Sequence, residues 1–194
     1  MVITANASPV HLNYYEAIEQ DLQQVARFVE FNKDNYGTYS IELAHLLIAA
    51  SSEVDVVLKM ICDLLDSSAP RSNIVEYQEV VMKNYPDVAH EKCHIARYGM
   101  SFAPFDNWTR HPPANPDWWR ANNKVKHQRD ANFSEANLQH TVNAVGALLI
   151  CVVHYYRLLR FTKTTDLKKV TNEMGIKRRF LSLDDTAYPS FLIV

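Results

Sequence analysis

Two stretches of this chain, residues 41–65 and 135–161, are long and apolar at helical spacing, and they constrain the fold more than any other feature. In the first, Leu43, Leu46, Leu47, Ile48, Val54, Val57, Leu58, Ile61, Leu64 and Leu65 cover most of the helix circumference. A helix that is apolar on most sides belongs inside a core. Ser40 is suited to cap its first turn. The second stretch opens behind Ser134, read as its N-cap, and contains the longest apolar run, residues 144–153. That run is far short of the about 20 residues needed to span a bilayer. The first residues carry neither a basic start nor an apolar run, so no signal peptide is read. The expectation is a cytoplasmic protein with no membrane partner.

The rest of the chain supplies elements to pack around such a core. Leu12, Tyr15, Ile18, Leu22, Val25, Phe28 and Val29 fall on one stripe, predicting an amphipathic helix over 12–31 that breaks at Asn35-Tyr36-Gly37. Asn73 with Glu76 three residues on reads as a capping box opening a helix to about Asn84. Gly99, between Ile95-Ala96-Arg97-Tyr98 and Met100-Ser101-Phe102, suggests a small extended turn. Four prolines between 104 and 117 require a loop, after which Pro116-Asp117 starts a helix reaching about Arg129. A short helix over 165–174 is stopped by Gly175, and the apolar tail segments 180–183 and 191–194 are suited to short strands or to docking. Only four glycines in 194 residues argue against a multi-turn all-β fold. The expected architecture is all-α: an antiparallel bundle of four to five helices over 1–161, an irregular insertion at about 85–116, and an appendage over 162–194 packed on the same domain.

The net charge of −2 excludes a generally polycationic nucleic-acid binder. Charge is instead local. Between Arg157 and Arg179 there are eight basic residues (Arg157, Arg160, Lys163, Lys168, Lys169, Lys177, Arg178, Arg179) against Asp166 and Glu173. The three cysteines, Cys62, Cys93 and Cys151, have no framework spacing, and Cys62 and Cys151 lie in apolar helical runs as small core residues.

Chemistry concentrates in residues 118–129, Trp118-Trp119-Arg120-Ala121-Asn122-Asn123-Lys124-Val125-Lys126-His127-Gln128-Arg129, with four basic residues and no acidic one. On a helix, seven residues make almost two turns. Arg120 and His127 then share a face, with Asn123 and Lys124 between them. An imidazole moves protons near neutral pH, and a guanidinium grips a phosphate through paired hydrogen bonds. The combination suits phosphodiester chemistry. The Arg-x6-His pattern resembles the active-site motif of HEPN-domain proteins. The likeness covers roughly residues 40–160 as a helical pattern and is sharpest over 118–138. That family often carries a polar residue directly after the arginine, where this chain has Ala121.

The resemblance implies a metal-independent endoribonuclease that works as a homodimer, in phage defence or a toxin–antitoxin-like pair with a regulatory partner protein. RNA carries its own nucleophile, and one imidazole cannot conveniently act as both base and acid, whereas a symmetric pair can. In this reading His127 is the general acid or base, Arg120 clamps the phosphate and Asn123 orients the histidine or substrate. Lys124, Lys126, Arg129 and Trp119 contact RNA; Trp118 and Trp119 are suited either to stack on a base or to anchor the helix by burial. Glu53, a carboxylate in an apolar helix that needs a partner, is expected to pair with Arg120 or Lys124. No cofactor is called for. Two alternatives stand beside this one. Glu42-x-x-His45 and Glu91-x-x-His94 match the Glu-x-x-His pairs of di-iron bundles, and His90, Cys93 and His94 match part of a zinc set. A non-catalytic helical module that binds RNA or protein is the other.

Overall fold

A computed structural model describes residues 9–160, 166–175 and 180–183. It is mostly helical, as expected. Helices α1 (Val10–Val25), α2 (Ile41–Leu65), α3 (Ile74–Asn84), α4 (Asp87–His90), α5 (Asp117–His127), α6 (Arg129–Asn132), α7 (Leu138–Arg160) and α8 (Leu167–Glu173) are joined by short turns and a small sheet.

The central pair is α2 and α7. Ser40 caps α2 as its residue type predicts, its hydroxyl accepting from the Leu43 amide at 3.1 Å. Leu43, Leu47, Val54, Leu58 and Ile61 are completely buried along it. On α7 every residue from Ala144 to Tyr156 is buried. By length and composition α7 would suffice to cross a membrane, but 78% of its apolar 18-residue window is buried inside this fold. The two helices are tied where they start. The Leu138 amide donates to the Thr38 carbonyl at 2.9 Å, and the Thr141 hydroxyl donates to the Leu43 carbonyl at 3.1 Å. Around this pair, α1 buries Leu12, Tyr15, Ile18, Leu22 and Val25, and α3 buries Ile74, Tyr77, Val80 and Val81. Each such aliphatic side chain contributes roughly 1.5–3 kcal/mol on burial.

Several local expectations shift. Helix α1 stops at Val25, so Phe28 leaves the predicted stripe and stands 83% exposed. Asn73 caps α3, but Glu76 reaches back to the amide and hydroxyl of Ser72 rather than to the Asn73 backbone amide. Ser134 does not cap α7. Residues 133–135 form a 3₁₀ turn, and the Asn137 side chain accepts from the His140 amide at 3.0 Å instead. Asp166 caps α8, and Gly175 follows it with φ +68°.

The insertion is more ordered than a loop. Strands β1 (Cys93–Ile95) and β2 (Met100–Phe102) form an antiparallel hairpin turned at Gly99, whose φ of +60° favours glycine. Strand β3 (Ser182–Leu183) adds to β1 in the order β2-β1-β3, with Cys93 opposite Leu183. The apolar segment 180–183 thus docks on the same domain, while 161–165, 176–179, 191–194 and the first eight residues lie outside the described residues.

Candidate functional site

Helix α5 positions the residues singled out by the Arg-x6-His spacing. Asp117 stands in its first turn and Lys124, Lys126 and His127 in its last, charges that complement the helix dipole at each end. Trp118, Ala121, Asn122 and Val125 form its buried face. Their spacing of three, four and seven is one helical stripe. Trp118 is the anchor: its indole N–H donates to the Pro104 carbonyl at 2.8 Å and its ring meets Phe105 edge-on. The opposite stripe, at the same spacing, is Arg120, Asn123, Lys124 and His127, all exposed. Ala121, where the resembled family often has a polar residue, faces the core, as does Asn122, whose Oδ1 is buried without a hydrogen-bond partner. Asn123 is the amide on the open face.

The electrostatics differ from the bare motif. Arg120 is ion-paired with Asp117 one turn earlier, and Lys124 Nζ lies 2.5 Å from Glu135 Oε1. Among the described residues, Lys126, His127 and Arg129 have no ion pair. Trp119 is half-buried and edge-on to Trp118 at 5.7 Å, which leaves part of its ring accessible. Glu53 does not pair with Arg120 or Lys124. Its carboxylate bonds His11 Nδ1 of α1 at 2.5 Å, with the imidazole edge-on against Tyr155. The need of a half-buried carboxylate for a partner was read correctly; the partner comes from another helix.

The residues of the metal readings are not gathered. Glu42 and His45 form a loose surface pair at 3.9 Å. His90 is exposed, and Cys93 and His94 point to opposite faces of β1. Glu91 turns to His154, 3.5 Å from Nε2. Among the described residues no three His, Cys, Asp or Glu side chains are grouped to hold a metal ion. All three cysteines are free and buried, and burial pushes the Cys62 thiol up to about 11.

Two polar groups escaped the sequence reading. On α7 the buried His154 meets the Tyr85 hydroxyl at 2.7 Å through Nδ1, and Arg157 donates to the same hydroxyl and lies over the Tyr85 ring. Burial pushes the Tyr85 phenol up to about 12 although Arg157 pulls it down. A histidine inside so apolar a run was the available signal. The second group lines a cleft of about 300 Å³ at the start of α5, between β2, the 103–110 segment and the first turns of α7. Trp118 and Phe102 contribute to its apolar walls, and Asn107, Gln139, His140 and Asn143 bring polar groups. Asp117, the partner of Arg120, stands on its border. A shallower apolar cleft of about 450 Å³, lined by Ile41, Ala44 and Phe133 with Arg129 and Asp130, lies beyond the other end of α5.

Compared with protein-family models, with curated proteins and with solved structures, the chain matches none.

Proposed function

We propose that this protein is a HEPN-like, metal-independent endoribonuclease acting as a homodimer. The single observation that carries the reading is the exposed stripe Arg120, Asn123, Lys124 and His127 on a helix whose other face is anchored in the core. A surface imidazole beside two cations, held on a rigid element, has the chemistry that transesterification of RNA requires. The 2′-oxygen attacks phosphorus while one His127 takes its proton. The 5′-oxygen leaves with a proton from the partner subunit's His127. The products are a 2′,3′-cyclic phosphate and a 5′-hydroxyl, so atoms and charge balance without any cofactor. Arg120 holds the non-bridging oxygens and Asn123 orients the imidazole or substrate. Lys124, Lys126 and Arg129 draw in the backbone, and Trp119 offers a ring edge to a base. The apolar cleft of Ile41, Ala44 and Phe133, near Arg129, gives a second copy a surface to pack on.

The ion pairs do not oppose this. An exposed pair such as Arg120–Asp117 is worth about 0–1 kcal/mol. A charge-assisted bond to phosphate contributes about 1.5–3 kcal/mol, so substrate can displace the carboxylate.

The same pairs favour a second reading, a non-catalytic module that binds RNA or protein, since Asp117 and Glu135 offset two of the four cations of the 118–129 segment. Cleavage of single-stranded RNA in the presence of EDTA decides between them. On the nuclease reading the purified protein yields cyclic-phosphate ends, and His127→Ala lowers the rate by at least about 100-fold, the lower end of a general acid–base contribution, with helicity and oligomeric state unchanged. Cleavage unaffected by His127→Ala, or none at all, overturns it.

A further inference from the structure

The cleft at the start of α5 has a character that the cationic stripe beside it lacks. Its charges are already matched: Arg110 bonds Asp106 at 2.9 Å, and Asp117 is taken by Arg120. An anion entering it would find no free cation, and its polar walls do not suit a lipid tail. What remains unmatched is neutral. Asn107 is only 7% exposed, yet its side-chain amide has no hydrogen-bond partner among the described residues. Its polar atoms are not sealed from solvent, so the amide opens into the cleft it lines, where a ligand offering a matching edge can bond it. Asn143 donates its Nδ2 to the Gln139 carbonyl at 2.9 Å, which leaves its Oδ1 to accept. His140 Nδ1 lies 2.9 Å from the Glu135 carbonyl. A carbonyl only accepts, so a proton is on Nδ1, with the Glu135 carboxylate 3.7 Å away, and Nε2 is left for a ligand. Trp118 is 2% exposed with its indole N–H committed to Pro104, so it offers the cleft no donor, and the ring surface comes from the half-buried Tyr36 and Phe102.

We propose that this cleft holds one unpaired nucleobase of the RNA substrate, a reading that rests on the nuclease proposal above. A neutral cavity with aromatic walls and amide edges matches a flat heterocycle carrying donors and acceptors around its rim. Its volume of about 300 Å³ lies at the lower limit of the about 300–1,000 Å³ usual for small-molecule sites. Its position also fits. Asp117 borders the cleft and holds Arg120, while His127 lies about 15 Å from Asp117, and about 10 Å from Arg120, along the helix axis at 1.5 Å per residue. A strand laid along α5 enters the cleft with the base of a nucleotide near the one whose phosphate meets Arg120 and His127.

The test measures binding of the whole protein to fluorescein-labelled single-stranded RNA, intact or with one abasic nucleotide moved along the strand. The expected result is a loss of at least ten-fold at one position and little elsewhere. Gln139→Ala, at an exposed position that leaves the fold intact, and Asn107→Leu are both expected to shrink that loss to less than three-fold while keeping the salt dependence of binding. Affinity equal for every abasic position, or base dependence unchanged in both variants, overturns the nucleobase site. Cleavage by His127→Ala reports on the other reading alone. If base-dependent binding persists where that variant changes nothing, the nuclease proposal fails and the base site stands. If His127 is essential and the abasic series is flat, the reverse holds.

Discussion

Glu19 illustrates how much a single buried charge can organise. It is 2% exposed and accepts from the Tyr15 hydroxyl at 2.9 Å and from the amides of Phe180 and Leu181 at 3.3 and 2.8 Å. Glu19→Ala leaves those donors buried, at about 1–3 kcal/mol for each that finds no substitute. We expect roughly 3 kcal/mol less stability by denaturant titration and faster hydrogen exchange at 180–183 than in α2. Unchanged exchange there would remove Glu19 from this role. On the open face of α5, Glu135 offsets Lys124. Glu135→Gln should raise affinity for single-stranded RNA by up to about five-fold, the equivalent of the about 1 kcal/mol ceiling of an exposed pair, with a steeper salt dependence; unaltered affinity would mean that Lys124 does not face RNA. At this scale the sequence was informative only where geometry is local. Arg120, Asn123, Lys124 and His127 share a face because helical period alone decides it. That Glu53 would choose His11, 42 positions away, depends on how α1 lies over α2, which no local pattern encodes.

Between elements, the tightest junction is at Gly146 of α7. A Cβ there would lie 2.6 Å from a ring carbon of Phe102 and 3.1 Å from Cys93 Sγ, so the β1–β2 hairpin rests directly on the helix backbone. Glycine inside a helix costs about 1 kcal/mol against alanine, and close packing of the hairpin is what it permits here. Gly146→Val should therefore destabilise despite its better helix propensity, because overpacking costs about 1–3 kcal/mol. The expected result is a lower Tm with faster exchange at Cys93–Ile95 and Met100–Phe102; an unchanged or higher Tm would show that the hairpin yields without cost. The helices were legible because caps and stripes are written in neighbouring residues: Ser40, Asn73 and Gly175 all act where they were expected to. Ser134 failed because Asn137, three residues on, competes for the same task and wins by its contact with His140. The sheet was only half visible. Gly99 betrayed the hairpin turn, but pairing of Cys93 with Leu183 joins segments 90 residues apart.

For the molecule as a whole, the core depends on phenols as well as aliphatic groups. Tyr15 on α1, Tyr77 on α3, Tyr85 just after it, and Tyr155 and Tyr156 on α7 are all buried. Apolar positions in the chain pointed to a helical core, yet they did not say that its polar rims would be closed by tyrosine hydroxyls, because that depends on partners from other helices. Tyr77 donates to Asp55 of α2 at 2.8 Å, and Tyr85 meets His154 of α7. Burial raises the pKa of all five above the ordinary 10.0; Glu19 adds to it at Tyr15 and Asp55 at Tyr77. A folded-state pKa above the unfolded one means that the unfolded chain releases these protons first. Their contribution is complete below pH 10 and is withdrawn as pH climbs from there through the folded values, about 12 for Tyr85. Because the five phenols tie α1, α2, α3 and α7 together, their loss should be cooperative. A titration followed by phenolate absorbance and by helical ellipticity should show a fraction of the tyrosines ionising above pH 10 in step with loss of helix. If all ten tyrosines ionise smoothly near pH 10 while the ellipticity stays constant, the phenols are not sealed in the core and the interior packing described for α1, α3 and α7 is wrong.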